Sequence, residues 1–237
     1  MRILITNDDG IRAESLRVLV EWAVKIGDVT VAAPKFEQSG KSHGIELHKS
    51  FEVKKSDIFG DGVTAYAVDS TPADCVRFAV AQFGKYDLVL SGINNGPNTG
   101  EDIVYSGTCG ALFEAAILKM RGIAFSTDRN NHTEAAKLLD DVYSFINDRG
   151  LFGKCPILNV NIPVGPRGML VTRQGGGYYR DRFIETEKDM FRAEGYTVYE
   201  DNGDISLDTN AVSHGYISVT PMTTDRTDAA AFEALSK

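Results

Sequence analysis

The chain has 237 residues, 43% of them apolar and 24% charged, which is an ordinary globular balance. That length suits one large α/β domain, or one domain with a substantial appendage, and a core that needs no covalent staples. The formal net charge of −8, with a pI near 5.1, excludes the basic footprint of a non-specific nucleic-acid binder, and an anionic substrate would need positive potential from the site itself, most simply from a bound metal ion.

Ile3-Leu4-Ile5 is a short apolar run ended by Asn-Asp-Asp-Gly, the pattern of a buried parallel strand and its turn. Leu16, Leu19, Val20 and Ala23 recur at helical spacing, and Val29 to Ala33 forms a second strand stopped by Pro34. Lys35 to Gly44 is a polar loop. Residues 45 to 68 are expected to be antiparallel or edge strands, from the alternation of Phe51/Val53 and of Thr64/Tyr66/Val68. Thr71-Pro72-Ala73-Asp74 starts a helix with a hydroxyl cap, a proline in the first turn and an acid three residues on.

Leu88 to Ser91 is another buried strand, followed by a long glycine-containing loop from Gly92 to Gly107. A helix is expected over about Thr108 to Arg121, a strand at Ile123 to Ser126, a helix from Thr133 to about Asp148 and a strand at Pro156 to Val160. Alternating strand and helix with short links predicts a doubly wound parallel sheet. After Pro163 the character changes. Gly175-Gly176-Gly177 interrupts the chain, and the highly charged stretch 180–204 with scattered aromatics reads as an arm or hairpin. Tyr216 to Thr220 is expected to return to the body, giving a catalytic core over 1–165 and an extension over 166–237 that carries an oligomerisation arm.

Cys75, Cys109 and Cys155 are distant, odd in number and set among apolar neighbours, so they read as core residues rather than a zinc site or a disulfide framework. No run approaches the roughly 20 apolar residues of a membrane helix. The apolar stretch after Met1 is only a strand long and ends in two acids, unlike a signal peptide. The expected compartment is the cytoplasm, with neither membrane nor nucleic acid as a partner.

In open α/β sheets ligands gather at the carboxyl ends of strands. Three polar clusters fall there: Asp8-Asp9 after the first strand, Ser39 after the second, and Asn94, Asn95 and Asn98 after the Leu88–Ser91 strand. Adjacent carboxylates beside a buried strand repel, and burial raises the cost of ionising both, so a divalent cation would relieve them. Carboxylate, hydroxyl and amide oxygens are hard donors that suit magnesium, manganese or calcium. Tyr105-Ser106-Gly107-Thr108 sets hydroxyls and a glycine at a helix N-terminus, either as an anion cradle or as plain capping. Opposite a metal, the cradle predicts phosphate chemistry.

Gly40-Lys41-Ser42 is not the end of a P-loop, because Lys35 stands where that motif needs its first glycine. The triple glycine has no strand–turn–helix context. His43, His48, His132 and His214 show no ligand spacing, and His43 is expected to be a surface loop residue.

Together these stretches resemble the survival-protein SurE family of stationary-phase nucleotidases. The resemblance rests on Thr6-Asn7-Asp8-Asp9-Gly10, Ala33-Pro34 with Gln38-Ser39-Gly40, and Ser91-Gly92-Ile93-Asn94 with Gly96-Pro97-Asn98. Tyr105 to Thr108, Asn159 to Pro163 and Gly215 to Pro221 extend it. It is dense over the first 126 residues and patchy but ordered beyond them.

The resemblance implies a Rossmann-like sheet and a C-terminal arm that exchanges between subunits of a homodimer or homotetramer. It implies 5′- and 3′-nucleotidase activity, and in some members exopolyphosphatase activity, with one divalent ion, magnesium or manganese, per subunit. By position, Asp8, Asp9, Ser39 and Asn94 would ligate the metal, with Asp8 and Asp9 catalytic. Asn98, Ser106, Gly107 and Thr108 would line the phosphate site of a phosphomonoester substrate such as a nucleoside monophosphate. Cys109-Gly110 departs from the family's usual small apolar pair and is expected to affect helix packing.

Two alternatives accompany this reading. A haloacid-dehalogenase-type phosphatase needs an aspartate two residues before Asp9, where Asn7 stands. A receiver-type signalling module would use Asp69 as its phospho-acceptor, but the long Asn/Gly loop has no role there.

Overall fold

The computed structural model describes residues 1–236. The apolar runs become β1 (Arg2–Thr6), β2 (Asp28–Pro34), β3 (Val53–Ser56), β4 (Thr64–Val68), β5 (Leu88–Asn95), β6 (Arg121–Thr127) and β7 (Ile157–Ile162). They are followed by β8 (Met169–Val171), β9 (Tyr179–Glu187), β10 (Met190–Thr197) and β11 (Ile217–Met222). Helices α1 (Glu14–Ala23), α2 (Pro72–Phe83), α3 (Gly107–Ile117), α4 (His132–Ala136) and α5 (Leu139–Asp148) intervene among the first seven strands. Helices α6 (Asp208–Ser213) and α7 (Ala229–Leu235) flank β11.

Nine strands form one sheet in the order β3-β4-β2-β1-β5-β6-β7-β11-β8. The run from β4 to β7 is parallel, while β3 pairs antiparallel with β4, and β11 antiparallel with β7. Because helices cover both faces, each central strand is apolar on both sides. Ile3 and Ile5 face a cluster with Leu16, Leu19, Leu139 and Val142, whereas Leu4 faces Val76, Ala79 and Leu112. Burying each such side chain contributes roughly 1.5–3 kcal/mol. Thr71 caps α2 by accepting from the Asp74 amide at 3.1 Å, as the sequence predicts.

From β1 the chain winds outward through β2 and β4, then returns to the other side of β1 and continues through β5, β6 and β7. The direction reverses between β1 and β5, which opens a crevice at their carboxyl ends. The doubly wound, mostly parallel sheet is therefore the predicted fold, with a switch point beside Asp8.

Several boundaries differ from expectation. Strand β5 does not end at Ser91. After a bulge its pairing with β6 resumes at Asn94↔Ser126 and Asn95↔Thr127, so Asn94 sits on a strand rather than in a loop. Residues 45–52 form no strand, and β4 is interior because it pairs with β2 in parallel on one edge and with the antiparallel edge strand β3 on the other. The helix expected over 133–148 divides into α4 and α5, where the ladder tightens to three-residue bonds from Lys137 to Glu134 and from Leu138 to Ala135. Helix α3 stops at Ile117, since Lys119 takes a left-handed φ of 61° and Arg121 already belongs to β6. Strands β9 and β10 form the expected hairpin, an isolated antiparallel pair with Phe183 opposite Ala193. Cys75 and Cys109 are buried and Cys155 is half-buried, all three as free thiols.

Candidate active site

The β1 turn is closed by its own asparagine. The Asn7 side-chain amide donates to the Gly10 carbonyl at 3.0 Å, and the Gly10 amide donates back to Asn7 Oδ1 at 3.2 Å. Asn7 is thereby consumed in the turn, and Asp8 and Asp9 point into the crevice. The Thr108 hydroxyl donates to Asp8 Oδ1 at 2.6 Å, and the Gln38 amide donates to the Asp8 carbonyl at 2.7 Å. Helix α3 and the Ser39 loop are thus both tied to one residue.

Asp8, Asp9, Ser39, Asn94, Asn98 and Ser106 line one cavity of about 650 Å³. Residues from β1, the β2 loop, β5 and the start of α3 meet there, as the strand-end argument requires. Gly107 and Thr108 do not line it. They stand behind Asp8, and Thr108, fully buried, spends its hydroxyl on that carboxylate. Ser106 both caps α3, accepting from the Cys109 amide at 3.1 Å, and faces the cavity. Capping and cradle are therefore not exclusive, because accepting a bond leaves the hydroxyl hydrogen free to donate.

Asn98 is clamped from behind. Its amide donates to Asn161 Oδ1 at 2.7 Å, and its carbonyl accepts from Asn159 at 2.7 Å and from Asn161 at 3.1 Å. Its own side-chain amide reaches Ser126 at 2.9 Å. The Asn94 side chain donates to the Gly96 carbonyl at 2.7 Å, leaving its oxygen as the acceptor, and Ser39 donates to Glu37 at 2.7 Å.

Burial pushes the Asp8 carboxyl up, against the lowering bond from Thr108. Asp9 is pushed up to about 6, by burial first, then by Asp8 and Glu37. Asp9 Oδ2 is buried with no hydrogen-bond partner. An orphaned carboxylate oxygen beside a second desolvated carboxylate is a site that a hard divalent cation fits. Among the described residues no three His, Cys, Asp or Glu side chains are grouped to hold an ion. The neutral oxygens of Ser39 and Asn94 would have to complete any such set.

Sequence reasoning missed Glu37, Asp102, Arg129 and Asn130, which line the cavity together with Asn95 and Tyr105. Among the described residues Arg129 is its only basic side chain. The strand-end rule applied to β6 would have found Arg129 and Asn130, which lie two and three residues beyond its last residue, Thr127. His43 is neither a ligand nor a free surface group, because it meets Glu114 at 2.8 Å and holds the Ser39 loop against α3. Gly110 matters beyond helix packing for the same reason. A Cβ there would overlap the Ser42 carbonyl, so the glycine admits the loop's close approach. Asp69 lines a separate depression with Glu52 and Thr71, away from Asp8.

The family description "Survival protein SurE" matches residues 3–181. The 5′-nucleotidase SurE 1 of Thermus thermophilus is 39% identical over 100% of this chain and 97% of its own length. The 5′-nucleotidase SurE of Deinococcus radiodurans is 39% identical over 95% of this chain and 88% of its own. The crystal structure of the SurE protein from Aquifex aeolicus superposes with a TM-score of 0.79 at 35% identity and covers 100% of both chains.

Proposed function

Because this chain belongs to the survival protein SurE family, we propose that it is a divalent-metal-dependent phosphomonoesterase that hydrolyses nucleoside 5′- and 3′-monophosphates to nucleoside and phosphate, with polyphosphate as a further substrate. The observation that carries the reading is the orphaned Asp9 oxygen beside desolvated Asp8, facing Ser106 across one cavity. Asp8, Asp9, Ser39 and Asn94 would hold the ion, one per subunit, magnesium or manganese. Such an ion supplies Lewis-acid polarisation of the phosphoryl oxygens and lowers the pKa of a bound water.

The chain's own residues supply the remainder. The Ser106 hydroxyl hydrogen and the second hydrogen of the Asn98 amide are free to donate to phosphoryl oxygens, and one such donor typically supplies about 3 kcal/mol of transition-state stabilisation. Their positions are fixed in advance by the α3 cap and the β7 asparagines, so little reorganisation accompanies charge development. Arg129 adds positive charge to a wall that otherwise carries Asp8, Asp9, Glu37 and Asp102.

The test is phosphate release from AMP, GMP, 3′-nucleotides and polyphosphate, after chelation and with each metal restored. Activity that survives exhaustive chelation would refute the metal role. The same samples yield a pH prediction. A carboxyl raised from 3.8 to about 6 binds its proton more tightly in the folded chain. The metal-free protein therefore loses stability as pH rises through that window. An ion must displace that proton, so the rise in Tm on adding manganese is expected to be small near pH ~5 and large near pH ~7.5. An equal rise at both values would show that Asp9 is not involved.

The proposal extends to domain roles and assembly. Residues 1–165 form the catalytic core, and the extension over 166–237 joins copies into a dimer or tetramer. Phe183 is 73% exposed and Phe191 61% exposed on the hairpin, and a lone two-stranded hairpin is marginal in water without a surface to cover. Light scattering is expected to give at least a dimer, and a monomer at micromolar concentration would remove the arm's role. Among the described residues no helix is long and apolar enough to cross a membrane, and we place the enzyme in the cytoplasm.

A further inference from the structure

Asp208 is fully buried at the start of α6, 108 residues from the loop it touches. Its two carboxylate oxygens accept from the Gly100 amide, each at 3.1 Å. Oδ1 also accepts from the amides of Gly175 at 2.8 Å and Thr209 at 2.7 Å. No basic side chain forms a salt bridge with it among the described residues. A buried, uncompensated carboxylate is costly unless its hydrogen bonds do something that a neutral group would do less well.

What it holds is the segment between two proposed phosphate contacts. Asn98 precedes Gly100 by two residues, and Asp102, Tyr105 and Ser106 follow it, all lining the cavity. The triple glycine, left without a role by the sequence, packs against that segment and against Asp208. Gly100 has φ +56°, and a Cβ there would overlap the Gly176 carbonyl. A Cβ on Gly175 would overlap Thr209. Glycine at 100 and 175 lets two backbones and α6 converge on one carboxylate. Gln174 donates to the Gly100 carbonyl at 2.9 Å, the Glu101 amide to Gly176 at 3.3 Å, and Arg180 of the hairpin pairs with Glu101 at 2.7 Å.

We propose that Asp208 is a positioning residue for phosphoryl transfer, its carboxylate fixing the Asn98–Ser106 segment against the glycine run at the base of the hairpin. It does not touch substrate. Together with the α3 cap and the β7 asparagines, it keeps the Asn98 and Ser106 donors in place by holding the segment between them, and displacing such groups by about 1 Å costs up to about 100-fold in rate. The inference rests on the phosphatase reading of the site.

The test is Asp208→Asn in the full chain with AMP and manganese. The expected result is a kcat about 10- to 100-fold lower, with the manganese-induced rise in Tm retained, because none of Asp8, Asp9, Ser39 and Asn94 is altered. Amide exchange is expected to quicken over Gly100–Ser106 and stay unchanged in β1. Tyr199→Phe, which removes the bonds to Asn210 and Ser213 farther along α6, is expected to leave kcat unchanged. Should Asp208→Asn fail to fold, Gln174→Ala loosens the same loop, with a kcat loss of about fivefold and faster exchange over the same amides. A native kcat in a folded variant, loss of the manganese effect, or unchanged exchange over Gly100–Ser106 would each overturn the inference. Wild-type protein that releases no phosphate would instead sink the phosphatase reading, while the exchange measurement still decides whether Asp208 holds the loop.

Discussion

Asp8→Asn is expected to lower kcat/KM on AMP by about 10³-fold in manganese and, in the same protein, to raise the melting temperature measured in chelator. The two effects share one cause. Asp8 is 4% exposed, and burial pushes its carboxyl up, so the ionised form is penalised in the fold at every pH above the unfolded value of 3.8. Asparagine has nearly the same shape, still accepts from Thr108 and carries no charge to desolvate. At neutral pH the substitution removes a penalty. Near pH ~3, where the native carboxyl is protonated in both states, the gain should vanish. Function requires the ionised oxygens, so activity and stability move in opposite directions, as expected where a site is built at the cost of stability. Unchanged turnover, or a melting temperature that falls at neutral pH, would remove Asp8 from the proposed metal set.

Thr108→Val carries the second large effect and separates the two carboxylates. Valine preserves the β-branched shape in a fully buried position, so the packing of α3 is kept. Lost is the 2.6 Å bond that lowers the Asp8 pKa. Losing a donor to a buried carboxylate costs about 2 kcal/mol, and the Asp8 pKa rises further. Protons then compete better with the ion. The expected kcat/KM loss is about 100-fold at neutral pH, and part of the activity returns as pH is raised, because the proton that competes with the ion is then lost. Thr108→Ser, which restores the hydroxyl, should recover most of it. A loss that does not change with pH would mean that Thr108 acts on something other than the ionisation of Asp8.

The fold was legible because its signals are local. Buried parallel strands must be apolar on both faces, so Ile3-Leu4-Ile5 and Leu88-Val89-Leu90 stand out in the chain, and the Thr71–Asp74 cap marks its helix within four residues. Where pairing partners decide structure, local pattern failed. Asn94 and Asn95 look like loop residues, yet they lie on a strand because Ser126 and Thr127 of β6 are beside them. Thr64–Val68 resembles an edge strand and is interior because β2 lies along one edge and β3 along the other.

The same division holds for the site. Asp8, Asp9, Ser39, Asn94 and Asn98 were readable because a parallel sheet obliges its strand ends to share one edge, so polar residues following apolar runs must meet there, and Ser106 because a hydroxyl before a helical run marks a helix N-terminus. Arg129 has the same placement after β6, and the strand-end rule would have reached it had it been applied to that strand. Tertiary structure alone decided that Thr108 serves Asp8 rather than the cavity, that Asn159 and Asn161 grip Asn98, and that Asp208 reaches Gly100 across 108 residues. Sequence fixes which side chains can ionise or donate. Which partner each one meets is set by chain segments that come together only when the sheet closes, and no spacing along the chain encodes it.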